Sequence, residues 1–317
     1  MIKKMIASKL SKQIMSPLRY PGGKGLLAEY FIKIIQQNNL AGCRYYEPFA
    51  GGGGVALGLL FKGIVSEIVL NDADYHIYCF WKAMIECNDK FIESLNAVPI
   101  TIAEWNKQKE IYQSPKKHTI FEVAFSTFFL NRCNRSGIIA GAGPIGGRVQ
   151  KGNWRLDARF NKSSLVQRIM QIGKLKDRIT IKNFDAIGFL KESLPRGNAR
   201  TNVLVYCDPP YVSAGNKLYL NFYQDKDHKK LAKYLLSQKG LRWIVTYDDH
   251  PLIRNLYKVS QEWIFSLGYS LQVNRKGKEL LIAPNYVILP DKSSITSAKW
   301  NLIKKLNDSE ELMEVLI

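Results

Sequence analysis
Residues 203–206 are an apolar run that leads straight into Cys207-Asp208-Pro209-Pro210-Tyr211, so a strand ends in an acid, two prolines and an aromatic ring. A double proline cannot continue a sheet ladder. It fixes a rigid turn that offers carbonyls and no N–H donors. The site is therefore all acceptor: the Asp208 carboxylate and the Pro209 carbonyl can together receive both hydrogens of an exocyclic amine. Held in this way, the nitrogen is drawn toward tetrahedral geometry and its lone pair is freed to attack an activated methyl group. Tyr211 offers a flat face on which a base can stack. A plain turn with a packed tyrosine accounts for Asp-Pro or Pro-Tyr singly, and poorly for Asp208, Pro209, Pro210 and Tyr211 together.

A second constellation is Glu47-Pro48-Phe49-Ala50-Gly51-Gly52-Gly53-Gly54, between a β-like run at 44–49 and a helical one at 55–61. Glycines there let a ligand approach the backbone, and free N–H groups at the helix start face it. Asp72 ends the next β-like run, 66–70, at about the twenty-residue spacing expected of an acid that binds ribose hydroxyls. The same letters fit a nicotinamide dehydrogenase, or a glycine-rich turn with a surface aspartate. Neither explains Cys207 to Tyr211 or the charge of the chain.

A third group lies between Asn131 and Lys151, where Arg132, Asn134, Arg135, Arg148 and Lys151 stand among glycines and a proline. Arginine suits guanine and asparagine suits adenine in the major groove, whereas lysine mostly meets phosphate. Sequence readout belongs here; the plainer alternative is a solvated basic hairpin that touches phosphates only. Lys and Arg number 46 against 27 Asp and Glu, a formal charge of +19, which favours a nucleic-acid partner. Lysine-rich composition and a charged, water-facing surface are the bland account of the same number.

The five cysteines, Cys43, Cys79, Cys87, Cys133 and Cys207, have no ligand spacing and are odd in number, so neither a disulfide framework nor a metal site is expected. His76, His118, His228 and His250 show no ligand spacing either, and Asp248-Asp249-His250 reads as a loop after a strand. No apolar run is long enough to cross a membrane, and the first fifteen residues lack the apolar stretch of a signal peptide. A cytoplasmic protein without a membrane partner is the expectation.

Around these residues the periodicity predicts a loop at 17–25 and a helix at 26–39, then the strand, glycine turn, helix and strand that carry Gly51 and Asp72. Helical stretches follow at 77–95 and 121–130, then a long irregular segment. β character returns at 179–182 and 202–206, with a helix at 228–238 and strands at 242–246 and 279–284. The α/β pattern thus resumes after an insertion. An amphipathic segment, 298–317, closes the chain with no assigned role.

PLRYPGGKG at 17–25, YEPFAGGGG, LND and CDPPY, in this order, resemble the Dam-type (D12 class) adenine-N6 DNA methyltransferases over about residues 17–290. FLNRCNRSG at 129–137 resembles the family's recognition helix and loop, and KELLI at 278–282 its late core strand. The resemblance implies a doubly wound, Rossmann-like α/β core that uses S-adenosylmethionine and leaves S-adenosylhomocysteine. The core would be built from a cofactor part (1–76) and a catalytic part (178–290), with a mostly helical target-recognition domain (77–177) inserted and an extension (291–317) behind. It implies that Tyr20, Gly23 and Lys24 meet the methionine end of the cofactor, that Glu47, Pro48, Phe49, Gly51 and Gly53 line it, and that Asp72 holds its ribose. Phe184 and Asp185 would border its adenine, and Asp208 to Tyr211 would hold the target base. Asn131 joins the DNA-binding set. Because 138–147 is less polar than in GATC-reading relatives, a GATC target is not implied.

The expected reaction is direct methyl transfer to N6 of an adenine flipped out of duplex DNA, with no metal and no covalent intermediate. The cell would be bacterial, with the enzyme at the nucleoid, or the gene phage-borne, and a cognate restriction endonuclease is a candidate partner. A cytosine-N4 enzyme, an RNA adenine methyltransferase and a catalytically silent DNA-binding regulator remain the alternatives.

Overall fold
The computed structural model describes residues 16–19, 24–213, 223–269, 275–290 and 300–305. In chain order the helices and strands are α1 (Ala28–Gln37), β1 (Arg44–Glu47), α2 (Gly54–Phe61), β2 (Glu67–Asn71), α3 (Tyr75–Glu86), α4 (Asn88–Ala97), α5 (Ile102–Gln113), α6 (Ile120–Cys133) and α7 (Lys162–Gly173). There follow β3 (Ile179–Lys182), α8 (Ala186–Ser193), β4 (Val203–Cys207), α9 (Asp225–Ser237), β5 (Arg242–Asp248), α10 (Pro251–Leu256), β6 (Gln261–Tyr269), β7 (Arg275–Ala283) and β8 (Trp300–Lys305).

All eight strands form one sheet in the order β3-β2-β1-β4-β5-β7-β6-β8. β1 to β5 are parallel. β7 runs antiparallel between β5 and β6, and β8 antiparallel to β6. The order reverses between β1 and β4, the switch point at which a doubly wound sheet leaves a crevice beyond its strand ends. This is the expected fold class. Its sheet has three features the periodicity does not announce: β6, β8, and the insertion of β7 between strands that precede it in the chain.

The described chain divides into two compact units. One contains Glu29–Gly51, Gly63–Tyr78 and the described residues from Arg178 onward, and holds the whole sheet. The other contains the described residues up to Ala28, Gly52–Lys62 and Cys79–Asp177.

In the sheet unit, alternation along the buried strands sends successive side chains to opposite faces. Tyr46, Val203, Val205, Cys207, Trp243, Val245 and Tyr247 share a core with Phe189 and Leu190 of α8, Leu231 and Leu235 of α9 and Ile253 of α10. On the other face Phe31 of α1 packs edge-on against Tyr45 and Tyr206. α1 is tied down further by Tyr30 Oη donating to the Pro290 carbonyl at 3.2 Å, and by Asn38, which donates to the Ile288 carbonyl at 2.7 Å.

The other unit is mainly helical around an aromatic core in which Phe91 touches Phe80, Phe121, Phe125 and Phe128. The helical run expected at 77–95 is two helices, because Cys87 leaves helical geometry and the Asn88 side chain bonds back to the Met84 carbonyl at 2.9 Å. α6 starts at a capping box, Thr119 with Glu122. α5 was not foreseen, although Thr101 caps it through Glu104 N at 3.2 Å. Its apolar face is too broken to carry a periodic signal, since the buried residues are Trp105, Gln108 and Tyr112. Of the amphipathic segment expected at 298–317, residues 300–305 form β8 and the rest lies outside the described residues.

Candidate active site
The turn after β4 is held by side chains from two other strands. Thr246 of β5 donates its hydroxyl to Asp208 Oδ1 at 2.7 Å, and Tyr206 Oη lies 2.8 Å from Thr246 Oγ1. A threonine has one proton to give, so the chain of donation runs Tyr206 to Thr246 to Asp208. Burial, and then the neighbouring Asp208, hold the Tyr206 phenol far above its ordinary pKa and keep it a donor. One turn further, Asp248 accepts from the backbone N–H of Val212 at 3.0 Å and of Ser213 at 2.9 Å. The Tyr211 hydroxyl donates to Glu279 Oε1 on β7. Pro209 is buried, while Asp208, Pro210 and Tyr211 are partly open. Cys207 is fully buried, and burial pushes its thiol well up, so it stays protonated and serves the core.

The ends of β1, β2 and β3 are joined by Asn71. Its amide donates to the Pro48 carbonyl at 2.9 Å and the Phe184 carbonyl at 3.0 Å, and accepts from Phe184 N at 2.9 Å. Beside it, partly buried Asp72 accepts from Gly51 N at 2.8 Å and Asp74 N at 2.9 Å, one carboxylate oxygen each. Desolvation outweighs these donors and raises its carboxyl to about 7. Gly51 and Gly53 adopt positive φ, 45° and 57°, which a glycine turn accommodates without strain. Glu47 is buried and accepts the Tyr45 hydroxyl at 2.9 Å. Phe49 meets Tyr223 edge-on.

Phe184 is exposed, at 44%. Asp185 Oδ1 caps α8 through Ile187 N at 3.1 Å and Gly188 N at 3.0 Å, and its other oxygen makes no hydrogen bond among the described residues. In the other unit, Lys24 is buried just before Gly25, and the backbone there comes so near Gly54 that a Cβ on Gly54 would meet Gly25 N at 3.0 Å. Tyr20 and Gly23 lie outside the described residues.

Three residues expected to touch DNA are instead internal braces. Asn131 is fully buried: its oxygen accepts from Arg19 N at 2.7 Å, and its nitrogen donates to Arg19 O at 2.9 Å and Gly137 O at 2.8 Å. Asn134, also buried, accepts from Trp105 Nε1 at 2.7 Å and donates to the carbonyls of Ile138 at 2.9 Å and Ile139 at 3.1 Å. Arg132 spends its guanidinium on the carbonyls of Pro17 and Arg159, and burial, with Arg19, Arg168 and Arg159 nearby, lowers it to about 9. A buried amide or guanidinium whose polar edge is turned to the protein's own backbone has none to show a base, so these three assignments are corrected. Gly137 explains part of the packing: at φ 74° it lies against the Arg19 backbone, where any Cβ would collide. Arg135, Arg148 and Lys151 are exposed.

Sequence reasoning missed Asn71, Tyr206, Thr246, Asp248 and Glu279. Asn71 and Glu279 stand inside the LND and KELLI runs without a role of their own, and Asp248 stands in the run Asp248-Asp249-His250, whose letters suggest only a loop. Asp249 in fact pairs with Arg254 at 2.7 and 2.9 Å, and His250 caps α10 at Leu252 N, so that run holds structure at each position. Among the described residues no cluster could hold a metal ion, and no helix is long and apolar enough to cross a membrane.

The sheet order defines a doubly wound α/β protein with its polar strand-end residues gathered beside the switch point. Within that class, residues 20–268 match the D12 class N6 adenine-specific DNA methyltransferases, and the chain belongs to this family. Adenine N6 is thus the acceptor among the amines open to such a turn. A relative is the Type II methyltransferase M.MjaIII of Methanocaldococcus jannaschii, 23% identical over 252 residues that cover 72% of this chain and 82% of that one. Similar solved structures include an rRNA methyltransferase, aviRa, of Streptomyces viridochromogenes (13% identity, 83% and 86% of the two chains, TM-score 0.34). Another is a class I S-adenosylmethionine-dependent methyltransferase of Listeria monocytogenes (12%, 88% and 65%, 0.36). Likenesses this slight add nothing to the strand order itself.

Proposed function
We propose that the turn after β4 grips the N6 amino group of a flipped adenine, with the Asp208 carboxylate and the Pro209 carbonyl accepting its two hydrogens and Tyr211 stacking on its ring. The observation that carries this reading is the donor chain from Tyr206 through Thr246, which fixes the Asp208 carboxylate at the end of β4. Asp248 keeps the following residues from moving, and Glu279 aims the Tyr211 ring. A neutral amine with a lone pair needs no enzyme nucleophile, and buried Cys207 offers none.

The residues at the ends of β1, β2 and β3 fit an adenosine: an acid for the ribose hydroxyls in Asp72, an exposed ring in Phe184 and a carboxylate oxygen of Asp185 with no described partner, suited to an adenine amine. Glu47, Pro48, Phe49, Gly51 and Gly53 line that place, and Tyr20, Gly23 and Lys24 serve the methionine end. When bound, S-adenosylmethionine supplies the electrophilic methyl carbon and leaves as S-adenosylhomocysteine.

Duplex DNA is the substrate, met by Arg135, Arg148 and Lys151. The domain bounds in this reading are 1–76 and 178–290 for the core, 77–177 for target recognition and 291–317 for the extension. The enzyme works in the cytoplasm, at the nucleoid or in a phage-infected cell. The Type II relative supports sequence-specific modification, with a cognate endonuclease as partner.

Asp208→Ala tests the central role. Methyl incorporation into duplex DNA drops by about a hundredfold or more, the scale of removing one preorganised group, while salt-dependent DNA binding persists. Full turnover in that variant would end the proposal.

A further inference from the structure
The helical unit has a cavity of about 410 Å³ between α5 and the stretch 139–148, lined among others by Trp105, Lys109, Tyr112, Gln113 and Arg148. We infer that this groove takes a nucleotide of the DNA target, and that Gln113 and Lys109 of α5 thereby help to set which sequence is methylated. The inference rests on the methyltransferase reading above.

Four observations point the same way. The volume lies within the roughly 300–1,000 Å³ of small-ligand sites. The aromatic side is pre-set, because Trp105 is pinned through its ring N–H to Asn134 at 2.7 Å and so cannot swing away. The facing wall, residues 140–143, carries no side chain larger than a methyl group, so a flat ring can come close to its backbone.

The polar groups are unspent. Gln113 and Arg148 are exposed and make no hydrogen bond or ion pair among the described residues, and Lys109 meets only the Trp105 ring, 5.2 Å from its centroid. Lys109 and Arg148 are the charged residues of the lining, and no carboxylate faces them, which favours an anionic occupant. A base edge then meets the Gln113 amide, which can donate and accept at once as adenine requires. The two cations take the phosphate.

The full-length wild type, Gln113→Ala and Lys109→Ala are compared, all three checked by thermal unfolding since both positions are at the surface. The wild-type target is first read by sequencing methylated DNA. Each variant is then assayed on that duplex and on every single-base-pair change of it. Gln113→Ala should lose roughly tenfold or more of its discrimination at one base pair, with the cofactor KM unchanged. Lys109→Ala should weaken binding to all duplexes alike and lower the salt slope by about one. Unchanged discrimination together with unchanged duplex affinity overturns the groove assignment. A wild type that methylates no adenine fails the reaction reading instead. The groove then stands or falls on duplex binding alone, lost if Lys109→Ala keeps the wild-type salt slope and supported if the slope drops.

Discussion

The turn after β4 and the stretch 134–148 are both irregular, yet they are fixed by opposite means. The turn is clasped by side chains 35 to 68 positions away in sequence: Asp248 to Ser213, Thr246 to Asp208 and Glu279 to Tyr211. Residues 134–148 are tied mostly to near neighbours in sequence, by Arg135 N to Gly143 O at 3.1 Å, Ile145 N to Cys133 O at 2.8 Å and the Asn134 amide to the carbonyls of Ile138 and Ile139. Gly137, Gly141, Gly146 and Gly147 all adopt positive φ there. A geometry set from outside changes only if the sheet changes, whereas one set from within can be rewritten by a local exchange. Chemistry common to a family suits the first arrangement, and readout of differing targets suits the second.

The largest effect that would break this contrast is expected at Thr246. Thr246→Val keeps the shape, removes the donor to Asp208 and strands the Tyr206 hydroxyl. A hydrogen bond to a charged group of about 1.5–3 kcal/mol corresponds to a roughly tenfold to hundredfold lower kcat. The KM for the cofactor should hold, and Thr246→Ser should restore turnover. An unchanged kcat would show that the clasp is ornamental.

Asn131→Ala comes next and sharpens the other side. It leaves the N–H and carbonyl of Arg19 and the Gly137 carbonyl without their partner, a cost of about 1–3 kcal/mol that urea unfolding would read. If Asn131 were a base reader, the variant would instead keep wild-type stability and lose DNA discrimination.

The smallest effect concerns pH. The Asp72 carboxyl is raised to about 7 in the fold, by burial first, from about 3.9 in an unfolded chain. The folded state binds that proton more tightly, so the contribution is complete below about pH 4 and is lost as pH rises through 7. Measured across that window, wild type should lose stability relative to Asp72→Asn, and parallel curves would contradict the raised value.

The same contrast decides what the letters alone could tell. Asp208-Pro209-Pro210-Tyr211 and the Gly51–Asp72 pair were legible, because short spacing and unusual residue types confine them to a few local geometries. Thr246 and Glu279 were not, since nothing in the letters of their own strands, RWIVTYD and RKGKELLIA, marks either one out, and the partner of each is known only once the strand order is. Asn131 and Asn134 misled for a related reason: an asparagine beside arginines reads as a base contact until burial shows that its amide is spent.

That late strand also governs how the molecule can be made. A polypeptide leaving the ribosome has β5 paired on one side only until β7 arrives some thirty residues later, and an open edge of that kind invites pairing with other chains. The Tyr211 anchor arrives with it. Chains cut short before Ala283 should therefore aggregate and lack activity, and the interval between the emergence of β5 and that of β7 is when this enzyme most needs a chaperone.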